Sequence, residues 1–214
     1  MIRMLERLSM DAWPALETRD LDGWVLRFSE GYTRRANSVH PLERGRSDLL
    51  AKIEEAERLY AEHDLPTIFK LTAESLPPGL EHALAERGYR EEARTSVRVA
   101  DLVPGRRGIA VETDWAKARA GSDGFHRANG AAPGRRALHD RTLSSISLPT
   151  GFALAAEDGE ALAFGLGVLQ REWLGVFDVI VDRDARRRGH GERLMRGLMA
   201  WGFEMGARRA DLQV

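Results

Sequence analysis

Apolar positions near the start of the chain, Leu5, Leu8, Trp13 and Leu16, recur at helical spacing and predict a short amphipathic helix over Met4–Ala15. The pattern then changes. Gly23–Phe28 (GWVLRF) and Arg35–Val39 (RANSV) read as strands, with Gly31 and Tyr32 as the turn between them. Leu50, Ile53, Ala56 and Tyr60 return to helical spacing and predict a helix over Ser47–His63, with Ser47 able to cap it. Pro66–Leu71 (PTIFKL) reads as a strand. Pro77-Pro78 opens a helix through Glu86 that Gly88 stops, and Arg94–Val103 alternates as a strand does.

Pro104-Gly105-Arg106-Arg107-Gly108 reads as a linker and divides the chain into 1–104 and 109–214. Beyond it, Ile109–Glu112 is a short strand, and Asp114–Arg141 is helical with breaks at Gly121–Gly124 and Gly130–Gly134. Gly151–Glu157 and Ala161–Gln170 form a hairpin around Asp158-Gly159. Leu174–Val181 is a further strand. Leu194, Leu198, Trp201 and Met205 stripe a helix over Gly191–Met205, which Gly206 stops, and Ala210–Val214 opens a last strand. Each half carries successive strands, a long helix and another strand, which predicts a degenerate tandem repeat.

Composition narrows the chemistry. The 214 residues suffice for one large domain or two small ones, and a net charge of −1 gives no global attraction to nucleic acid or an acidic membrane. Lys is confined to Lys52, Lys70 and Lys117, and Arg supplies the other basic positions, a skew read first as codon bias. The absence of cysteine excludes disulfides, thiolate metal sites and cysteine nucleophiles. No signal-like segment or bilayer-length apolar run occurs, so a cytoplasmic protein is expected, without membrane or nucleic-acid partners.

The most informative stretch lies just after the apolar run ending at Val181. Arg186-x-x-Gly189-x-Gly191 stands between that strand and a patterned helix. Strand, glycine turn and helix start present a row of N–H groups to a phosphate, and the glycines let the backbone approach closely. The bare pattern is short enough to arise by accident; the competing reading is a glycine turn flanked by solvated arginines. A Walker loop fits worse, since no Lys lies here, and so does a dinucleotide fingerprint, since the motif sits late in the chain and a basic residue leads it.

The stretch Trp173–Met195 resembles the cofactor motif of the GNAT superfamily of acyl-CoA N-acyltransferases, and Glu192–Gly206 and Arg209–Val214 resemble the helix and the strand that come next in that fold. The second half, Ile109–Val214, is similar to the fold as a whole. The first half resembles a degenerate copy, with Pro41-Leu42-Glu43-Arg44-Gly45-Arg46 where the loop would stand. The resemblance implies an α/β (α+β) protein: a mixed, mostly antiparallel twisted sheet flanked by helices, in two similar halves. It implies acetyl-CoA as co-substrate, an amine acceptor, direct attack without an acyl-enzyme, and no metal. Carried over residue by residue, the amides of Arg187, Arg188, Gly189, His190, Gly191 and Glu192 would hold the pyrophosphate, led by Arg186. Main-chain groups of Val179, Ile180 and Val181 would pair with the pantetheine arm.

Asp178 is the first choice of base, acting through water, against a satisfied polar residue at a bulge. Phe125 and His126 stand where the family recognises its acceptor, although a solvated surface position is the preferred reading of His126. Trp173 is a further acceptor candidate, with strand-edge packing as its preferred reading. His190 is expected to matter for its backbone rather than its ring. The family usually continues past the last strand with another helix, which commonly carries a Tyr acid, and two more strands. Here the tyrosines are Tyr32, Tyr60 and Tyr89, all in the first half. The sheet is expected to be completed by Leu80–Tyr89 and Arg94–Val103 or by a second subunit, which makes a homodimer possible. The rival functions are a non-catalytic acyl-CoA-binding module and, less favoured, an arginine-based nucleic-acid binder.

Overall fold

The computed structural model describes residues 1–105, 108–128, 133–157 and 160–214. The chain divides into two compact units, Met1–Arg94 and Thr95–Val214. The expected linker at 104–108 is therefore not the boundary, and its Arg106-Arg107 lies outside the described residues, as do Asp158-Gly159 and residues 129–132.

In the first unit, α1 (Ile2–Ala12) precedes a three-stranded antiparallel sheet of β1 (Glu17–Leu21), β2 (Trp24–Phe28) and β3 (Val39–Pro41), followed by α2 (Leu49–Glu62) and α3 (Leu80–Glu86). Trp24, Leu26 and Phe28 on one face of β2 pack with Val39, Ile53, Ala56, Tyr60, Leu80 and Leu84. The predicted strand over Pro66–Leu71 shrinks to a single bridge between Val39 and Phe69. Arg35 lies instead in a short 3₁₀ turn, Arg34–Ala36. The cap of α2 is Asp48, not Ser47: its Oδ1 accepts from the N–H groups of Leu50 and Ala51 at 3.0 and 3.1 Å. The loop before this helix is filled from within. The Asp22 carboxylate accepts from the N–H groups of Arg46 and Ser47 at 2.7 and 2.8 Å, and these bonds hold its pKa down to about 2.

In the second unit, β4 (Val97–Asp101), β5 (Val111–Glu112), α4 (Trp115–Ala128), α5 (Pro133–Ser145), β6 (Thr150–Glu157), β7 (Glu160–Gln170), β8 (Trp173–Val181), α6 (His190–Glu204) and β9 (Arg209–Gln213) build a six-stranded sheet. Its order is β4-β9-β8-β7-β6-β5, with β8 and β9 parallel and every other pair antiparallel. The segment read as the end of the first half thus belongs here. β4 pairs along the whole of β9, and Ser96 and Val214 exchange main-chain hydrogen bonds at 2.6 and 2.9 Å. The edge of β9 is covered by the same chain. The helix α4 runs through Gly121–Gly124, where a break was expected.

Helices cover both faces of this sheet. Successive strand residues alternate between faces. Phe152 and Phe164 meet Trp115 and Phe125 of α4, with ring centroids 5.1 and 5.6 Å apart. The opposite face carries Gly151, Gly165 and Gly167, and there α6 lies close, with Leu198 and Trp201 over the glycines. The N-terminal approach to β5 crosses α6 with backbone against backbone. The Ile109 N–H donates to the Arg193 carbonyl at 3.2 Å, and a Cβ on Gly197 would stand 2.3 Å from the Ile109 carbonyl oxygen. Gly197→Ala is therefore expected to destabilise the protein by about 1–3 kcal/mol, since neither backbone can yield freely. Urea denaturation measures it, and a loss below about 0.5 kcal/mol, that of an ordinary surface change, would refute the close crossing.

Candidate active site

The parallel pairing of β8 with β9 covers only Trp173–Val176 against Arg209–Leu212. The ladder ends with Val176 opposite Leu212, one residue before the end of β9 at Gln213, while β8 continues to Val181. On the other side the register with β7 slips: Leu166 faces Phe177, Phe164 faces Ile180, and Asp178 and Val179 share Gly165. This is a β-bulge. Asp178 sits in it with φ of +50°, a left-handed conformation that non-glycine residues seldom adopt.

The bulge turns Asp178 toward α5. Its Oδ2 accepts from His139 Nε2 at 2.8 Å, and His139 Nδ1 lies 3.3 Å from His126 Nε2 on α4. A carboxylate can only accept, so the His139 proton sits on Nε2, and neutral His139 then accepts at Nδ1 from the His126 Nε2–H. Phe125 stacks on the His139 ring at 4.6 Å and 18°. Asp140 places Oδ1 3.9 Å from His126 Nε2, while Arg119 holds its Oδ2 at 3.1 Å. His139 is fully enclosed and His126 is only 6% exposed, so His126 is not the solvated surface histidine that the sequence favoured.

After β8, Asp182 caps a 3₁₀ turn over Arg183–Ala185 by accepting from the Asp184 N–H, and buried Ala185 anchors it. Arg186 Nε donates back to the Val181 carbonyl at 3.2 Å. Arg187 has a positive φ, and Gly189, with φ of +79°, is the N-cap of α6. Among the described residues no side chain caps this helix. The N–H groups of its first turn are therefore left to an outside acceptor, in a region where the helix dipole favours negative charge. A Cβ on Gly189 would meet nothing within 4 Å, so the space over the turn is open.

Other predicted residues lie elsewhere. Trp173 packs at the start of β8 under the Arg209 guanidinium, five positions before Asp178. The His190 ring is buried, its nitrogens without a hydrogen-bond partner and 3.6 Å from the Glu157 carboxylate. His139 was not singled out by sequence at all. It belongs to a polar helix, and only the approach of α5 to β8 gives it a role.

A family model described as "Acetyltransferase (GNAT) family" matches residues 118–214, which include the bulge, the loop and α6. This part of the chain belongs to the GNAT family of acetyltransferases. A second model, described as "Probable histone acetyltransferase Rv0428c C-terminal", matches residues 1–142. The chain is 28% identical to the uncharacterized N-acetyltransferase YobR of Bacillus subtilis over 226 residues, covering all of this chain and 87% of that protein. It is also 28% identical to the probable histone acetyltransferase Rv0428c of Mycobacterium tuberculosis over 233 residues, spanning 66% of that longer protein. The fold is shared with a GCN5-related N-acetyltransferase from Kribbella flavida, with a TM-score of 0.71 at 17% identity over 99% of this chain and 85% of the other. This GNAT chain is thus an acyl-CoA-dependent N-acyltransferase. Enzymes of this superfamily generally use acetyl-CoA. No described helix is long and apolar enough to cross a membrane.

Proposed function

We propose that this acyltransferase binds acetyl-CoA between the end of β8 and the uncapped start of α6, and transfers the acetyl group directly to an amine. The observation that carries this reading is the Asp178 bulge near the end of β8, followed by an open glycine turn at the start of α6. Bound acetyl-CoA supplies a thioester carbonyl for the amine to attack. The chain's own groups do the rest. The amides of Arg187, Arg188, Gly189, His190, Gly191 and Glu192, with Arg186 leading, hold the pyrophosphate. Val179, Ile180 and Val181 offer main-chain groups on the side of β8 away from β7 to the extended arm as an added strand. An N–H of that edge stabilises charge developing on the carbonyl oxygen.

Deprotonation of the amine falls to the buried series His126, His139 and Asp178. A proton taken at His126 can pass to His139, where the Asp178 carboxylate stabilises the resulting cation. Asp178 thereby orients and charges the base rather than acting through water alone. His126 and Phe125, carried by α4 next to His139 of α5, serve the acceptor side in this reading.

Calorimetry with acetyl-CoA and CoA tests the binding half, and thiol release across an amine panel the chemical half. Gly189→Val is expected to weaken CoA binding roughly 10-fold or more, because a branched side chain resists φ of +79° and fills the space of the anion. Wild-type protein that fails to bind at millimolar CoA would overturn the reading.

A further inference from the structure

The histidine pair has a property that proton transfer does not require. We propose that His126 Nε2, His139 Nδ1 and Asp140 Oδ1 form a binding site for a borderline transition-metal ion of the Zn²⁺ class. These donor atoms lie within 4.8 Å of one another. The two nitrogens are 3.3 Å apart. Bonds of about 2.0–2.1 Å place two ligands of a tetrahedral ion roughly 3.4 Å apart, so the nitrogens already stand at ligand spacing. Asp140 Oδ1, 3.9 Å from His126 Nε2, needs only a small inward turn to complete the set.

Three further features support an ion here. Asp140 Oδ1 is buried and makes no hydrogen bond, while Arg119 fixes the other oxygen of that carboxylate. A buried carboxylate oxygen in that state is costly, and a cation relieves it. The far nitrogen of His139 donates to Asp178 at 2.8 Å, the carboxylate–histidine arrangement that sets the tautomer and orientation of a metal-ligating imidazole. The donors are two imidazoles and one carboxylate, which suits Zn²⁺, Co²⁺ or Ni²⁺ over Mg²⁺ or Ca²⁺. Binding needs no oxidant or reductant and no net loss of a proton: the N–H bond of His126 broken at Nε2 is matched by one formed at Nδ1. His126 shifts its proton from Nε2 to Nδ1, and the ion takes the place of the hydrogen between the two rings.

Because the ion would occupy Nδ1 of His139, it would block passage of a proton from His126. Zn²⁺ is then an inhibitor of acetyl transfer, a consequence that rests on the proposed function, whereas binding of the ion does not. The test uses the full chain without an affinity tag, titrated with Co²⁺ and followed by its visible d–d absorption. A saturable band is expected, abolished by His126→Ala and weakened at least 10-fold by Asp140→Asn. Asp178→Asn touches no ligand atom, yet should weaken binding by about 10–100-fold through His139. Far-UV circular dichroism confirms that each variant is folded. Absence of a saturable band in the wild type, or a band indifferent to His126→Ala, would overturn the site. Acetyl-CoA binding, measured separately, shows whether the transferase reading stands or falls on its own.

Discussion

Asp178→Asn is expected to lower kcat for acetyl transfer by about 10²–10⁴-fold while leaving acetyl-CoA affinity nearly unchanged. The substitution preserves volume and keeps an oxygen that can accept from His139 Nε2, so the 2.8 Å contact can persist. What disappears is the negative charge facing His139 as it takes up a proton, and the cation loses the group that stabilises it. His139→Gln should impair the same step from the other side. Residues that act as one unit are non-additive, so the double variant should be no slower than the worse single one. Thiol-release rates per folded molecule, with thermal melts alongside, separate this role from a structural one. A variant that melts early but retains wild-type kcat would assign Asp178 to holding the bulge only.

The parts of the site legible in the sequence are those built from neighbours along the chain. An apolar strand, a polar link, Arg186-x-x-Gly189-x-Gly191 and a helical stripe suffice to read a glycine turn that opens a helix, because its geometry is backbone geometry. Gly189 in the left-handed region and α6 starting at His190 are products of that local grammar. His139 could not be found the same way. It lies 39 positions from Asp178 and 13 from His126, and only packing of two helices on one sheet face brings the three together.

Strand partners were as opaque as side-chain partners. Arg94–Val103 alternates visibly, but nothing local says whether its neighbour lies before or after it, and β4 pairs with β9 at the far end of the chain. In contrast, β1 went unseen because ETRDL has almost no apolar alternation; it is a largely exposed strand held by its register with β2. The PTIFKL segment looks more like a strand than β1 does. Its main chain bonds to β3 through the Val39 N–H to the Ile68 carbonyl and the Lys70 N–H to the Val39 carbonyl, a single bridge rather than a ladder. The two helix starts show the same rule in chemical terms. Asp48 caps α2 and the Asp22 carboxylate occupies the amides just before it, whereas α6 has neither device among the described residues. Of these two helix starts, that of α2 is satisfied by carboxylates of the chain itself, and that of α6 has no such partner among the described residues.

Arg27→Leu should cost the protein roughly 3–5 kcal/mol, since it strands several buried carbonyls at once. Arg27 is 2% exposed on β2, and its guanidinium donates to the carbonyls of Arg35 at 2.7 Å, Met10 at 3.2 Å and Trp13. Met10 lies in the last turn of α1 and Trp13 is its C-cap, the positions where helix carbonyls lack partners within the helix. Arg27 is therefore a tertiary C-cap, and its charge also faces the negative end of the helix dipole. Burial pulls its pKa down to about 10, and the positive charge of Arg35 adds to that. It remains charged at neutral pH with margin to spare. Leucine replaces the apolar stem but none of the donors. Denaturant unfolding followed by tryptophan fluorescence reports the loss, because Trp13 and Trp24 both lie in this unit. Hydrogen exchange of the α1 amides should accelerate in parallel, since the helix loses the group that holds its end. Arg27→Lys should recover only part of the stability, because one ammonium cannot span carbonyls arranged for a planar fork. A loss under about 1 kcal/mol for Arg27→Leu would show that water replaces the guanidinium and that the end of α1 is held by packing.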